Sequence, residues 1–130
     1  MRFGYTILYV REVALSVDFY ERAFGLKRRF VHESGQYAEL ETGPTALAFA
    51  AYELAAANLP GTFQPAEPGE RVPTFEVCLV TEDVGTAYER AVREGAEPVT
   101  EPQTKPWGPD VAYLRDPDAV LIELASPVAG

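Results

Sequence analysis

Two stretches of this sequence decide its fold: residues 5–13, which read YTILYVREV, and residues 76–84, which read EVCLVTEDV. They are 71 positions apart, because 76 − 5 = 71. Each opens with an apolar run of β-forming residues and ends in an acidic residue followed by valine. The chain therefore contains an internal repeat, and each copy is predicted to begin with a strand.

A helical pattern follows each of these strands. Apolar residues recur at spacings of four and three, as one helix face requires. They are Val13, Val17 and Tyr20 in the first copy and Val84, Tyr88 and Ala91 in the second. Gly25 and Gly95 then stand where a left-handed residue can end a helix, since glycine has no Cβ to oppose positive φ.

Three further strands are predicted in each copy, now at an offset of 74, since 112 − 38 = 74. They span about residues 27–33, 36–41 and 46–52, and about 97–100, 111–115 and 120–125. Residues 53–73, rich in proline and glycine, are predicted to be a connector with a short helical or turn segment at residues 55–57, which could form a lid but is more simply part of a plain linker. The fold class is thus α+β, a single domain over 1–130 with paired βαβββ modules: half one about 1–52, connector 53–73, half two about 74–127.

Composition and charge limit the function classes. The 130 residues carry 20 acidic and 11 basic side chains, a formal charge of −9. Such a surface repels phosphate backbones and anionic lipid, so neither nucleic acid nor membrane is an expected partner, while cationic small molecules are favoured. The single cysteine, Cys78, is interpreted as a strand hydrophobe that forms no intrachain disulfide. We expect a cytoplasmic protein, because no apolar run approaches a membrane span.

Two motifs resemble a known family. Residues 17–26, VDFYERAFGL, resemble the "FY…LG" helix motif of the vicinal oxygen chelate superfamily, which includes glyoxalases, bleomycin resistance proteins and dioxygenases. Residues 107–119, WGPDVAYLRDPDA, resemble its "WG…DPDG" signature, with Ala119 in place of the usual glycine. The resemblance implies paired βαβββ modules whose curled sheets form a cup, often completed by a homodimer.

In metal-dependent members of that family, the resemblance implies one ligand from the first and one from the last strand of each half. Here the repeat predicts Tyr5, Phe49, Glu76 and Glu123 at these positions, taking Phe49 as the counterpart of Glu123 at offset 74. Phenylalanine has no lone pair to donate, and the only histidine, His32, lies elsewhere. We therefore expect no cofactor and no three-ligand transition-metal site, and glyoxalase I and extradiol dioxygenase chemistry are disfavoured.

Other interpretations of the two glutamates stay open. With water, Glu76 and Glu123 could hold a hard divalent ion such as magnesium or manganese. As a metal-free pair, they could serve as acid and base. A purely structural role would leave Glu76 exposed or bonded to the sheet edge, and would pair Glu123 with Arg115 or Arg2.

The leading hypothesis is a metal-independent small-molecule binding protein of the bleomycin-resistance type, working as a homodimer on an antibiotic or other xenobiotic. Its predicted ligand-binding residues are Tyr5, Phe49, Glu76, Trp107 and Glu123. Trp107 lies in a proline-flanked loop and could stack on a flat ligand, or instead cover the core or the dimer interface. The alternative is a glyoxalase-like lyase or isomerase, with or without a divalent metal on the two glutamates.

Overall fold

Both repeats of the chain fold into the order of elements that the sequence predicts, a strand, a helix and three further strands. The computed structural model describes residues 1–59, 61 and 63–127. The first repeat consists of β1 (Tyr5–Val10), α1 (Val13–Phe24), β2 (Lys27–Val31), β3 (Tyr37–Glu41) and β4 (Ala46–Ala51), followed by α2 (Tyr52–Asn58). The second consists of β5 (Val77–Val80), α3 (Val84–Arg93), β6 (Glu97–Thr104), β7 (Asp110–Arg115) and β8 (Leu121–Ala125).

Each repeat forms its own four-stranded sheet, in the orders β1-β4-β3-β2 and β5-β8-β7-β6. The first and last strands of each repeat pair in parallel, whereas the other pairs are antiparallel. The chain divides into two compact units, Met1–Pro65 and Ala66–Gly130, one for each repeat. The predicted α+β class with βαβββ modules is confirmed.

The core of the first unit is aromatic. Leu8 and Val10 of β1 turn toward α1, and the ring of Tyr20 on that helix packs on Phe49 of β4 with centroids 5.0 Å apart. The helix ends at Gly25, whose φ of 68° lies in the left-handed region as predicted, and whose N–H donates to the Glu21 carbonyl at 3.0 Å. Burying large rings contributes strongly to stability, since each removes a large apolar area from water.

The core of the second unit is aliphatic. Helix α3 contacts β7 and β8, and the side chains of Ala91, Leu114, Ile122 and Leu124 are all at most 2% exposed. The helix begins at Asp83, whose carboxylate accepts the Thr86 N–H at 3.0 Å and caps one of the free N–H groups of the first turn. No aromatic side chain is fully buried in the described part of this unit.

Two local features bear on the predictions. The connector contains α2, in agreement with the helical or turn segment predicted at residues 55–57, but the favoured plain linker was wrong, because Phe63 beyond that helix packs edge-on against Tyr9 with centroids 5.1 Å apart. Strand β6 runs to Thr104 rather than Thr100, through Pro98 and Pro102. Those prolines are tolerated because β6 is an edge strand that pairs only with β7, with two register shifts on the way.

A tight turn joins β7 to β8. The Asp116 carboxylate accepts the N–H groups of Asp118 and Val120, each at 2.9 Å. Ala119 adopts a φ of 67°, which explains why glycine is usual at this position of the motif. Among the described residues, no helix is long and apolar enough to cross a membrane.

Candidate functional site

The strand register assigns the counterpart of Glu123 and corrects the sequence prediction. Cys78 lies opposite Glu123 across β5 and β8, just as Ile7 lies opposite Ala48 across β1 and β4. Ile7 and Cys78 are related by the repeat offset, since 78 − 7 = 71, so Ala48 corresponds to Glu123. The offset in the last strand is therefore 123 − 48 = 75 rather than 74.

Phe49 is thus misplaced by one position in the predicted set. The loop before β8, residues 116–120, is one residue longer than the loop before β4, residues 42–45. Because successive strand residues point to opposite faces, a slip of one residue exchanges the faces. Phe49 points to the helix and is fully buried, whereas Glu123 points to the opposite side, which we call the open face.

On the open face of the second unit, Glu76 and Glu123 meet. Glu76 directly precedes β5, Glu123 lies in β8, and their carboxyl groups are hydrogen-bonded to each other, so one of them carries a proton. The Tyr113 hydroxyl donates to Glu123 Oε1 at 2.8 Å, and the Cys78 thiol donates to Glu123 Oε2 at 3.6 Å. The neighbouring strands thus direct three donors onto one carboxylate.

The protonation states follow from this arrangement. The hydrogen bond to Glu123, burial and the neighbouring negative charge raise the pKa of Glu76 to about 7. Burial opposes ionisation of Glu123, but hydrogen bonds from Glu76, Tyr113 and Cys78 and the charge of Lys105 lower its pKa. Below about pH 7 the shared proton therefore resides on Glu76, and Glu123 is the anion.

The two other donors stay protonated at neutral pH. The hydrogen bond to Glu123, together with burial, raises the pKa of Tyr113 to about 12. Burial and the Glu123 charge raise the pKa of the Cys78 thiol to about 11. The site thus offers hydroxyl, thiol and carboxylic acid groups beside one carboxylate, and the thiol is not a ready nucleophile.

The turn between β6 and β7 brings Trp107 into the same unit. Its ends are closed by the Lys105 N–H to the Pro109 carbonyl at 2.8 Å and by the Thr104 hydroxyl to Asp110 at 2.6 Å. Lys105, at one end, is near enough to Glu123 to act on its pKa. Trp107 itself is 70% exposed, so its indole does not cover the core of this unit.

The open face of the first unit is built differently. Tyr5 and Ile7 are exposed there beside the methyl group of Ala48. The buried carboxylate of Glu39 accepts the Tyr37 hydroxyl at 2.8 Å and pairs with Arg29 at 3.3 Å. Burial, followed by the hydrogen bond to Glu39, raises the pKa of Tyr37 to about 12. This carboxylate is already neutralised by its own partners.

Comparison with known proteins identifies the family. The family model described as the Glyoxalase/Bleomycin resistance protein/Dioxygenase superfamily matches residues 2–124. The chain belongs to this superfamily. The uncharacterized protein YraH of Bacillus subtilis (strain 168) is 30% identical over 118 residues, which cover 90% of this chain and 91% of YraH. The family predicted from the two motifs is confirmed.

Solved structures from other organisms share the fold. A glyoxalase-related enzyme from Fulvimarina pelagi superposes with a TM-score of 0.83 at 18% identity, covering 98% of this chain and 88% of that one. TioX from Micromonospora sp. ML1 superposes with a TM-score of 0.71 at 22% identity, covering 97% and 98%. At these identities the likeness establishes the architecture and leaves the ligand to be argued from the site.

Metal-dependent chemistry of the superfamily needs a set of ligands, and the residues present do not fit the usual set. A catalytic transition metal is held by about three imidazole, thiolate or carboxylate groups. The second unit offers Glu76 and Glu123, hydrogen-bonded to each other, and the equivalent positions of the first unit are Tyr5 and Ala48. No group of three or more His, Cys, Asp or Glu side chains suited to a metal occurs in the described part of the chain.

The predicted site residues thus have different outcomes in the structure. Glu76 and Glu123 come together, and Trp107 lies exposed on a turn of the same unit. The structural alternative was wrong in pairing Glu123 with Arg115, which donates to backbone carbonyls instead, whereas Glu76 is exposed as that alternative expected. Tyr113 and Cys78 were missed, although strand alternation could have found Tyr113, which lies directly across from Glu123.

Proposed function

We propose that this protein is a small-molecule binding protein of the bleomycin-resistance type, which binds a cationic, hydrogen-bond-donating aromatic ligand without metal or cofactor. The observation that carries the proposal is the carboxyl pair on the open face of the second unit. Glu76 is exposed and bonded to Glu123, and the donors around the pair point at Glu123. The outer oxygen of Glu76 is therefore the acceptor offered to a ligand.

Charge supports a cationic ligand. The chain carries a formal charge of −9, which raises the local concentration of cations over the whole surface. An ammonium or amidinium group at Glu76 would form a charge-assisted hydrogen bond, which is about twice as strong as a neutral one. Lys105 offsets the charge on the Glu123 side, so Glu76 is the favoured contact.

Trp107 supports an aromatic ligand. Its exposed indole is held on a braced turn, and so it could stack on a flat ring with little loss of conformational freedom. Tyr5, 54% exposed in the first unit, remains a predicted contact, whereas Phe49 is removed from the set by its burial. We further propose that the protein acts in the cytoplasm as a homodimer, which light scattering after size exclusion would test.

The binding experiment uses the single tryptophan as its signal. Purified protein is titrated with 9-aminoacridine, a planar cation, and with acridone, a neutral ring system of similar size. We expect quenching of Trp107 and saturable binding of the cation, with acridone at least tenfold weaker. The double variant Glu76→Gln/Glu123→Gln removes the negative charge that the pair carries and should weaken cation binding about tenfold, the value of one charge-assisted contact. Each single variant keeps that charge on the remaining glutamate and should weaken binding less.

A matched control separates the site from overall charge. Glu89→Gln removes one exposed charge from α3 and should change the affinity less than twofold. Equal binding of acridone would refute the cationic ligand, and no binding of any aromatic probe would refute the proposal. Stoichiometric transition metal in the purified protein, measured by elemental analysis, would overturn its metal independence.

A lyase or isomerase is the second candidate, and one observation favours it. The pKa of Glu76 is raised while that of Glu123 is lowered, the separation that lets two carboxyl groups work as acid and base. Glu123→Gln decides between the two functions. In an enzyme it should abolish turnover, whereas a binding protein should lose only part of its affinity.

A further inference from the structure

Arg115 is a buried cation in the second unit that the proposed binding site does not use. Only 6% of it is exposed. Its guanidinium donates to three backbone carbonyls: Nε to Ala119 at 2.9 Å, Nη1 to Glu70 at 2.7 Å and Nη2 to Glu67 at 3.0 Å. The planar guanidinium of arginine carries several N–H donors in fixed directions and can bind three carbonyls at once. The ammonium group of lysine cannot do so with the same geometry.

Two of these carbonyls belong to the segment that delivers Glu76. Glu67 and Glu70 lie in the connector, and only six positions separate Glu70 from Glu76, since 76 − 70 = 6. Between them the chain is bent by a tight turn, in which the Phe75 N–H donates to the Pro73 carbonyl at 2.8 Å. The segment is hydrogen-bonded at Glu67 and Glu70 and bent at residues 73–75, so its backbone path to Glu76 is restricted.

Glu76 itself lies just outside the β ladder. The pairing of β5 with β8 begins at Val77, opposite Ile122. The direction of the Glu76 side chain therefore depends on the incoming chain as well as on the strand. Arg115, in contrast, is anchored in β7, two residues after Tyr113, on the same hairpin that carries Glu123.

The first repeat lacks this arrangement. Position 115 corresponds to Glu41, since 115 − 74 = 41, and Glu76 corresponds to Tyr5. The repeat that carries the carboxyl pair is thus the one that carries the arginine. We propose that Arg115 is a positioning residue, which ties the connector to the β7–β8 hairpin so that Glu76 meets Glu123. The inference rests on the proposed role of this carboxyl pair in ligand binding.

The test follows the Glu76 carboxyl directly by carbon-13 NMR titration, which needs no ligand. In the wild type, the pKa of Glu76 should be about 7 because of its bond to Glu123. In Arg115→Met it should fall toward the ordinary value of 4.5 as the bond is lost. Arg115→Lys keeps the positive charge and should give an intermediate pKa of Glu76. It also allows the test to be made if Arg115→Met does not fold.

Two further variants separate positioning from stability. Two glycines inserted between Arg71 and Val72 loosen the exposed connector without touching Arg115, and should lower the pKa of Glu76 as Arg115→Met does. Asp83→Ala removes the cap of α3 in the same unit, lowers the melting temperature and should leave the Glu76 titration unchanged.

An unchanged Glu76 titration in Arg115→Met or in the glycine-insertion variant, or a fall of its pKa in Asp83→Ala equal to that in Arg115→Met, would overturn the proposal. Failure of the aromatic cations to bind, with the Glu76 titration moving as expected, would instead refute the binding function and leave the positioning role standing.

Discussion

The two repeats share one architecture. They differ in the residues that each face of the sheet carries. On the helix-facing side, Tyr20 and Phe49 of the first unit correspond to Ala91 and Leu124 of the second. On the open face the polarity is reversed, since Ala48 corresponds to Glu123. A duplicated scaffold can thus carry aromatic packing in the core of one copy and a carboxyl pair on the open face of the other.

The largest expected effect tests the aromatic core of the first unit. Phe49→Ala should lower the free energy of unfolding by about 3–5 kcal/mol, because it leaves a large cavity beside Tyr20. The matched change in the second unit, Leu124→Ala, should cost less, about 2–3 kcal/mol, because less volume is removed. Urea denaturation measures both, and an equal cost would contradict the difference between the two cores.

Phe49→Leu tests whether Phe49 acts in the core alone or also in ligand binding. It keeps an apolar side chain on the helix-facing side, so the protein should fold with a modest loss of stability. Affinity for 9-aminoacridine should stay within twofold of the wild type. A tenfold loss of affinity would show that Phe49 contributes to ligand binding, contrary to what its burial indicates.

The next prediction concerns the two tyrosines whose pKa is raised to about 12. Tyr113 owes this first to its hydrogen bond with Glu123, whereas Tyr37 owes it first to burial. Glu123→Gln should therefore lower the pKa of Tyr113 more than Glu39→Gln lowers that of Tyr37. Carbon-13 NMR of the tyrosine rings measures both pKa values. A larger change in the pKa of Tyr37 than in that of Tyr113 would contradict the causes assigned to the two tyrosines.

A smaller effect is expected on the pH dependence of stability. The folded pKa of Glu76, about 7, lies above its ordinary 4.5, so the folded state binds the proton more tightly than the unfolded state between these values. This contribution is full below about pH 4.5 and is lost as the pH rises through about 7. Glu76→Gln should flatten the fall in urea midpoint between about pH 5 and pH 8, while Glu89→Gln should not.

The lowered pKa of Glu123 acts in the opposite direction, and its contribution is lost only as the pH falls below its ordinary range. Because Glu76 is exposed, solvent screening keeps its effect small. A midpoint that rises with pH in the wild type but not in Glu76→Gln would show that the proton resides elsewhere.

The smallest effect is expected at Ala119. Glycine would relieve a positive φ of 67°, a gain of about 1 kcal/mol, but would remove a buried methyl group and add freedom to the unfolded chain. Ala119→Gly should thus change the free energy of unfolding by less than about 1 kcal/mol in the same urea experiment. A loss above about 2 kcal/mol would show that the methyl packing dominates.

Much of the fold was predictable because it depends on local and periodic signals. The paired runs at residues 5–13 and 76–84, the helix face through Val13, Val17 and Tyr20, and the left-handed Gly25 all follow from spacing and backbone freedom. The failures have different causes. Phe49 was misassigned because one extra residue in the loop before β8 shifts the register, and only residues 55–57 of α2 were predicted as a helical or turn segment because its seven residues carry little amphipathic pattern.

The sequence alone was enough to establish the duplicated βαβββ architecture and the superfamily and to single out Glu76 and Glu123 as candidate site residues, because these depend on the order and type of residues along the chain. Only the tertiary structure decided that the two carboxyl groups share a proton, that Tyr113 and Cys78 donate to Glu123, and that Phe49 belongs to the core. Hydrogen bonds and burial depend on strand register and on contacts between distant residues, and a shift of one residue is enough to exchange the two faces of a strand.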